Sequence, residues 1–216
     1  MKKIITIALT AGLISTLAMA RGGHGYGHAN HSNNQGNQTY LNQVVDSTPI
    51  AELTQEQKDD LVFMYQEEKM ARDVYKTLGD IWGAKVFYNI QNSEQKHMDS
   101  VKSLLEKYSI PVPVLSDEVG VFENDEIQAL YDSLVEQGKE SLEAAYNVGV
   151  AIEETDIADL QEKIIGTPDD IKSVYSNLLS GSYNHLNAFT RLLDRLSSSQ
   201  TSTSNNSQRH GRHGRR

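Results

Sequence analysis

No cysteine occurs among the 216 residues, and there are only 4 prolines. The lack of cysteine excludes a disulfide scaffold, a zinc ribbon, an iron–sulfur cluster and a thiol nucleophile. Basic side chains are also in short supply: 20 Lys plus Arg face 29 Asp plus Glu, a formal charge of −9. A nucleic-acid binder would carry a basic stripe, so that class is set aside. Apolar residues make up 38%, low for a membrane protein but enough for a small core with polar ends. The length suits one domain, or one domain with tails. Convincing β alternation is missing throughout 48–196, which leaves helix as the main element.

Histidine is scarce where the pattern is strong. His24, His28, His31, His210 and His213 fall in Gly/Asn/Arg-rich ends, leaving only His97 and His185 in the middle. Residues 1–20 carry Lys2 and Lys3, an apolar stretch from Ile4 to about Leu17 and a small-x-small ending at Ala18-Met19-Ala20. That is the pattern of a secretory signal peptide, too short in its apolar part for a stable span. The expectation is therefore an exported protein, periplasmic or extracellular, without a membrane span once the leader is removed. Residues 21–47 (His/Gly/Asn-rich) and 197–216 (Ser/Arg/His-rich) have too few apolar side chains to offset their ordering entropy, and are expected to be disordered. Between them, residues 48–196 hold 13 basic and 28 acidic residues, a charge of −15.

Within 48–196 the spacing predicts four long helices and a short one. The first starts at Thr54, an N-cap with Gln57 three residues on, and ends at Gly79. The second runs from about Trp82 to Tyr108, where Pro111 and Pro113 break the pattern. A short amphipathic helix from about Asp125 to Glu136 follows, stopped by Gly138. A long helix from about Ser141 to Ile165 stops at Gly166. The last starts at Thr167-Pro168-Asp169-Asp170 and runs to about Leu196. Two tight joints and one long crossover containing the short helix give an all-α expectation: a ferritin-like four-helix bundle.

The apolar stripes carry the chemistry. The first reads Leu61, Met64, Glu68, Ala71, Tyr75, Leu78, and the second Phe87, Ile90, Glu94, His97, Val101, Leu104. The next long helix gives Tyr146, Gly149, Glu153, Asp156, Leu160, and the last Leu178, Ser182, His185, Phe189. Unpaired buried carboxylates are costly, and no Lys or Arg lies on these stripes to neutralise them. Glu68, Glu94, His97, Glu153, Asp156 and His185 are thus candidate metal ligands. This oxygen-rich, nitrogen-poor set suits iron or manganese better than structural zinc. Glu154 lies one residue off the stripe, and a small helix rotation would exchange it with Glu153. Taken singly, Glu68 could pair with Arg72, and either histidine could be an ordinary core residue. Tyr75 is a candidate hydrogen-bond donor to the site or plain core filling.

Glu68-Lys-Met-Ala71-Arg72 resembles the Glu-x-x-Ala-Arg of rubrerythrin-type first helices, and Glu94-Gln-Lys-His97 resembles the second-helix Glu-x-x-His of the ferritin-like superfamily. The stretches 67–75, 89–97, 149–157 and 181–189 also resemble a bacterial and archaeal domain-of-unknown-function family, number 2202. The resemblance implies two iron ions, with manganese as the other option, and metal-oxidising or peroxide-reducing activity. Its partners would be metal ions and oxygen or peroxide. One departure stands out: the last helix reads Ser182-Tyr-Asn-His185, so the Glu expected at Ser182 is missing and Asp156 is the candidate substitute. Metal capture or buffering without turnover, aided by the tail histidines, is the alternative, and a metal-free helical interaction protein is the third. Nothing in the pattern specifies subunit contacts, so a homo-oligomer stays open.

Overall fold

Helix-capping chemistry sets the element boundaries. The computed structural model describes residues 50–210, with side chains through 199. The leader expected at 1–20 and the segment 21–47 lie outside the described residues. Five helices follow in chain order: α1 (Gln55–Trp82), α2 (Lys85–Lys107), α3 (Asp125–Gly138), α4 (Leu142–Lys163) and α5 (Asp169–His210). No strand occurs among the described residues, as the absence of β alternation predicts. None of their helices is long and apolar enough to cross a membrane.

Thr54 and Gln57 close a reciprocal capping box at the start of α1. The helix passes through Gly79 and ends at Gly83, whose φ of 64° lets its N–H bond to the Gly79 carbonyl. Gly79 is therefore interior, not terminal. The Tyr88 ring lies against it, and the Tyr88 hydroxyl donates to its carbonyl at 2.8 Å. A two-residue joint then returns the chain as α2, which packs along α1. Asn124 caps α3 by accepting from the Glu126 and Ile127 N–H groups, and Ser141 caps α4 by accepting from Ala144. Gly166, with φ 74°, turns the chain into α5. That helix continues past Leu196, where its end was expected, to His210. No Gly or Pro stands between Leu196 and Gly211, and the Ser197 and Ser198 hydroxyls donate to the Leu193 and Asp194 carbonyls, one turn back.

α4 packs on α5, α2 on α5 and α1 on α4, while the short α3 lies against α1 and α4. The four long helices enclose two apolar clusters. One gathers Val74, Tyr75, Leu78, Phe87, Tyr146 and Phe189 with α3 residues Ile127 and Leu134. The other gathers Leu61, Met64, Val101, Leu105, Leu160 and Tyr175. Along every long helix the charged stripe positions fall between these clusters. The fold thus brings them to one level.

Candidate metal centre

Step counting puts Glu68 one turn from both Met64 and Ala71, so it must point where they point. The structure buries it to 2% exposure, together with Glu94 and Glu153 at 2% each and His97, His185 and Asp156 at 8%. Glu154 is exposed, which settles the ambiguity with its neighbour in favour of Glu153.

Glu94 on α2 stands at the centre. Its Oε2 lies 2.8 Å from His97 Nδ1, and its Oε1 lies 2.9 Å from His185 Nδ1. Each imidazole faces a second carboxylate: His97 Nδ1 is 3.4 Å from Glu68 Oε2, and His185 Nδ1 is 3.4 Å from Glu153 Oε2. The arrangement has two like halves, Glu68 with His97 and Glu153 with His185, joined by Glu94. In each half the ligand atoms lie within 4.8 Å of one another, spacing that one ion could span. The two imidazole rings are 5.6 Å apart, inclined by 27°. Short as these contacts are, neither Nδ1 has a hydrogen bond of acceptable geometry. Glu68 Oε1, Glu94 Oε1, Asp156 Oδ1 and Glu67 Oε2 are likewise buried without a partner. Orphaned buried donor atoms on this scale are unusual, and their convergence fits a bound cation.

The electrostatics agree. Burial, then the charges of Asp156 and Glu94, push Glu68 well above the usual carboxylate range. Burial and the Glu94 charge raise Glu153 to about 8. Burial raises Asp156 to about 6 against the lowering effect of its Ser182 hydrogen bond. Burial alone would raise Glu94, but the adjoining His185 and His97 outweigh it and hold the group at about 2. Conversely, burial would lower His185, but Glu153 and Glu94 lift it to about 9, and His97 moves the same way. Metal-free, the cluster holds protons that a metal would displace.

Asp156 is not part of either triad. The Ser182 hydroxyl donates to its Oδ2, so serine and aspartate together fill the level where the last helix lacks its glutamate. Tyr75 is both donor and core filling. Its hydroxyl donates to Glu153 Oε1 at 2.5 Å, while its ring packs 5.5 Å from that of Phe189. Arg72 does not reach Glu68: it donates to Asp73 Oδ1 and Gln95 Oε1. Gly181 is needed where α5 meets α2, because a Cβ there would stand 2.5 Å from His97 Nε2.

Among the buried charges that escaped the sequence reading are Glu67, Lys69 and Asp73. Glu67 is 4% exposed, and steps of three from Met64 would have found it. Lys69 and Asp73 form a fully buried pair at 2.6 Å, an i, i+4 spacing that invites such a bridge. Lys69 Nζ also donates to the Val121 carbonyl at 3.2 Å and lies 4.2 Å from the Phe122 ring centre, while Gly120 N–H donates to Asp73 at 3.1 Å. This knot fastens the connection between α2 and α3 to α1.

Comparison with known proteins places these residues in context. The model of the "Uncharacterized protein domain (DUF2202)" family matches residues 57–209. "Uncharacterized protein MJ0754" of Methanocaldococcus jannaschii is 49% identical over 160 residues, which span 74% of this chain and 86% of that protein. The crystal structure of hypothetical protein MJ0754 from Methanococcus jannaschii superposes with a TM-score of 0.67 at 50% identity, covering 70% of this chain and 87% of that one. A DUF305 fragment from Deinococcus radiodurans is similar in fold alone: TM-score 0.51 and 14% identity, covering 67% of this chain and 99% of the fragment.

Proposed function

This chain belongs to the DUF2202 family, and from the two Glu94-linked triads we propose that it is an exported, ferritin-like four-helix bundle binding a pair of iron or manganese ions. The observation that carries the reading is the single carboxylate shared between two histidine–glutamate halves, with both Nδ1 atoms unpartnered. Glu68 and His97 would hold one ion, Glu153 and His185 the other, and Glu94 would bridge them. Three carboxylates and two imidazoles are a donor set that suits iron and manganese in their +2 and +3 states. Such a pair supplies one-electron changes at a buried site, the chemistry required to oxidise metal ions or to reduce peroxide.

The protein's own groups have defined tasks in this reading. Tyr75 orients Glu153 through its hydrogen bond and shields it with the surrounding aromatic rings. Gly181 admits the His97 ring against α5. Ser182 turns Asp156 away from the bridging position that a glutamate at 182 would occupy. That last contact is also what favours the second reading, capture or buffering without turnover, since it leaves the pair with one bridging carboxylate. The leader-like residues 1–20 are the basis for export.

Elemental analysis after expression with iron and manganese supplied tests the core claim. The expected result is two ions per chain; protein free of both metals overturns it. Optical measurement of Fe(II) oxidation then separates the two readings. Oxidation by the wild type that is lost in Glu94→Ala supports catalysis, whereas equal rates with metal bound favour capture. Removing residues 21–47 and 197–216 should leave the stoichiometry at this site unchanged.

A further inference from the structure

α1 turns two adjacent acids inward, and the paired-metal reading uses only the second. Glu67 Oε2, Glu68 Oε1 and Asp156 Oδ1 are all buried without a hydrogen-bond partner, on residues exposed by 4, 2 and 8%. All three residues line one cavity of about 10 Å³, together with Glu94 and Glu153 of the pair and the apolar Met70, Ala71 and Ile152. That is about the space one water-sized body occupies. The remaining oxygens of two of these acids are already engaged: Glu68 Oε2 faces His97, and Asp156 Oδ2 accepts from Ser182. Neither histidine lines this cavity, which Glu94 and Glu153 share with the three acids. The basic group nearest to hand on α4, Lys163, lies 3.2 Å from Asp159 and 4.8 Å from the Phe63 ring centre. Its charge reaches Glu67 through space but forms no ion pair with it. Unpartnered buried acids around one small void call for a cation.

We infer that Glu67, Glu68 and Asp156 form an outer divalent-cation site between α1 and α4, beside the Glu94-centred pair. The inference rests on the paired-metal reading, because Glu68 is shared between the inner and outer sites. The outer set offers oxygen only, which selects a hard divalent ion such as Mn(II). Its oxygens are spread more widely than those of the two triads, which alone among the described residues bring three ligand atoms within 4.8 Å. The outer ion is accordingly held more weakly than the inner pair and exchanges faster, so that Glu67 and Asp156 pass cations to and from Glu68.

Anaerobic titration of the full chain with Mn(II), with free ion counted by electron paramagnetic resonance, tests this. The wild type should bind two ions tightly and a third more weakly. Glu67→Gln, close to isosteric, should weaken the third by about tenfold or more and leave the first two within about threefold. Asp156→Asn should act in the same direction. Two tight ions with no third in the wild type, or a third that survives in Glu67→Gln, overturns the outer site alone. A wild type without a tight pair overturns the paired-metal reading and this inference with it. The wild-type stoichiometry decides the matter even if a variant fails to fold.

Discussion

Two sets of buried charge start at neighbouring residues of α1, Lys69 and Glu68, and are handled in opposite ways. Lys69 and Asp73 neutralise each other at 2.6 Å, and backbone groups of the α2–α3 connection satisfy what remains. Glu68, Glu94, Glu153 and Asp156 have two imidazoles, no Lys or Arg, and several atoms without partners. The first set is complete and acts as a fastener. The second leaves buried carboxylate and imidazole atoms without hydrogen-bond partners, which makes it a candidate site where the first is a structural bridge.

The largest effect should come from breaking the complete set. Asp73→Ala leaves Lys69 buried without its carboxylate and should cost about 3–5 kcal/mol in urea unfolding, with added Mn(II) or Fe(II) giving no rescue. Next is the pH response of the metal-free protein. Glu153 at about 8 and His185 at about 9 hold protons in the folded state that the unfolded chain releases near 4.5 and 6.5. Their stabilising contributions are full below those unfolded values and are lost as the pH rises through the folded ones. Metal-free stability should therefore fall between about pH 5 and 9, and bound metal should flatten the slope. A rise in metal-free melting temperature over that range would contradict the assignment.

Gly181→Ala drives a Cβ into His97 and should cost about 1–3 kcal/mol. It should also weaken metal binding by about tenfold, read by competition with a chelator. The smallest stability effect belongs to Glu153→Gln. In the metal-free protein near pH 4.5, where Glu153 is neutral when folded and largely so when unfolded, unfolding should change by less than about 1 kcal/mol, while the stabilisation gained on adding metal at neutral pH is lost. The contrast between Asp73→Ala and Glu153→Gln is the sharpest version of the comparison.

Much of the site was legible because a helical stripe is local arithmetic. Glu68, Glu94, His97, Glu153 and His185 follow from steps of three and four, and the structure brings all five together. Successive residues lie about 100° apart on a helix, so an exposed Glu154 and a buried Glu153 are distinguished only by how α4 is rotated. That rotation is set by packing across the molecule. Glu67 was overlooked because one acid per turn already satisfied the pattern. The bond from Ser182 to Asp156 joins α5 to α4 through residues 26 apart in sequence, a contact no local spacing encodes. The same holds for the Lys69–Asp73 knot, whose other partners lie beyond the end of α2. Local chemistry did give the cap at Thr54, and the same side-chain chemistry caps α3 at Asn124 and α4 at Ser141. It misjudged Gly79, because a helix tolerates an interior glycine where a neighbouring ring fills the gap.

Each of the two apolar clusters draws on all four long helices, with the charged layer between them. Either end can therefore condense before the layer closes, and closure brings together like charges that contribute nothing to early collapse. If the layer closes after the rate-limiting step, a cation that binds only the closed layer adds its stabilisation late. It slows unfolding while leaving the folding rate unchanged. In kinetic terms such a cation would be a latch on the finished helices and not the seed around which they gather.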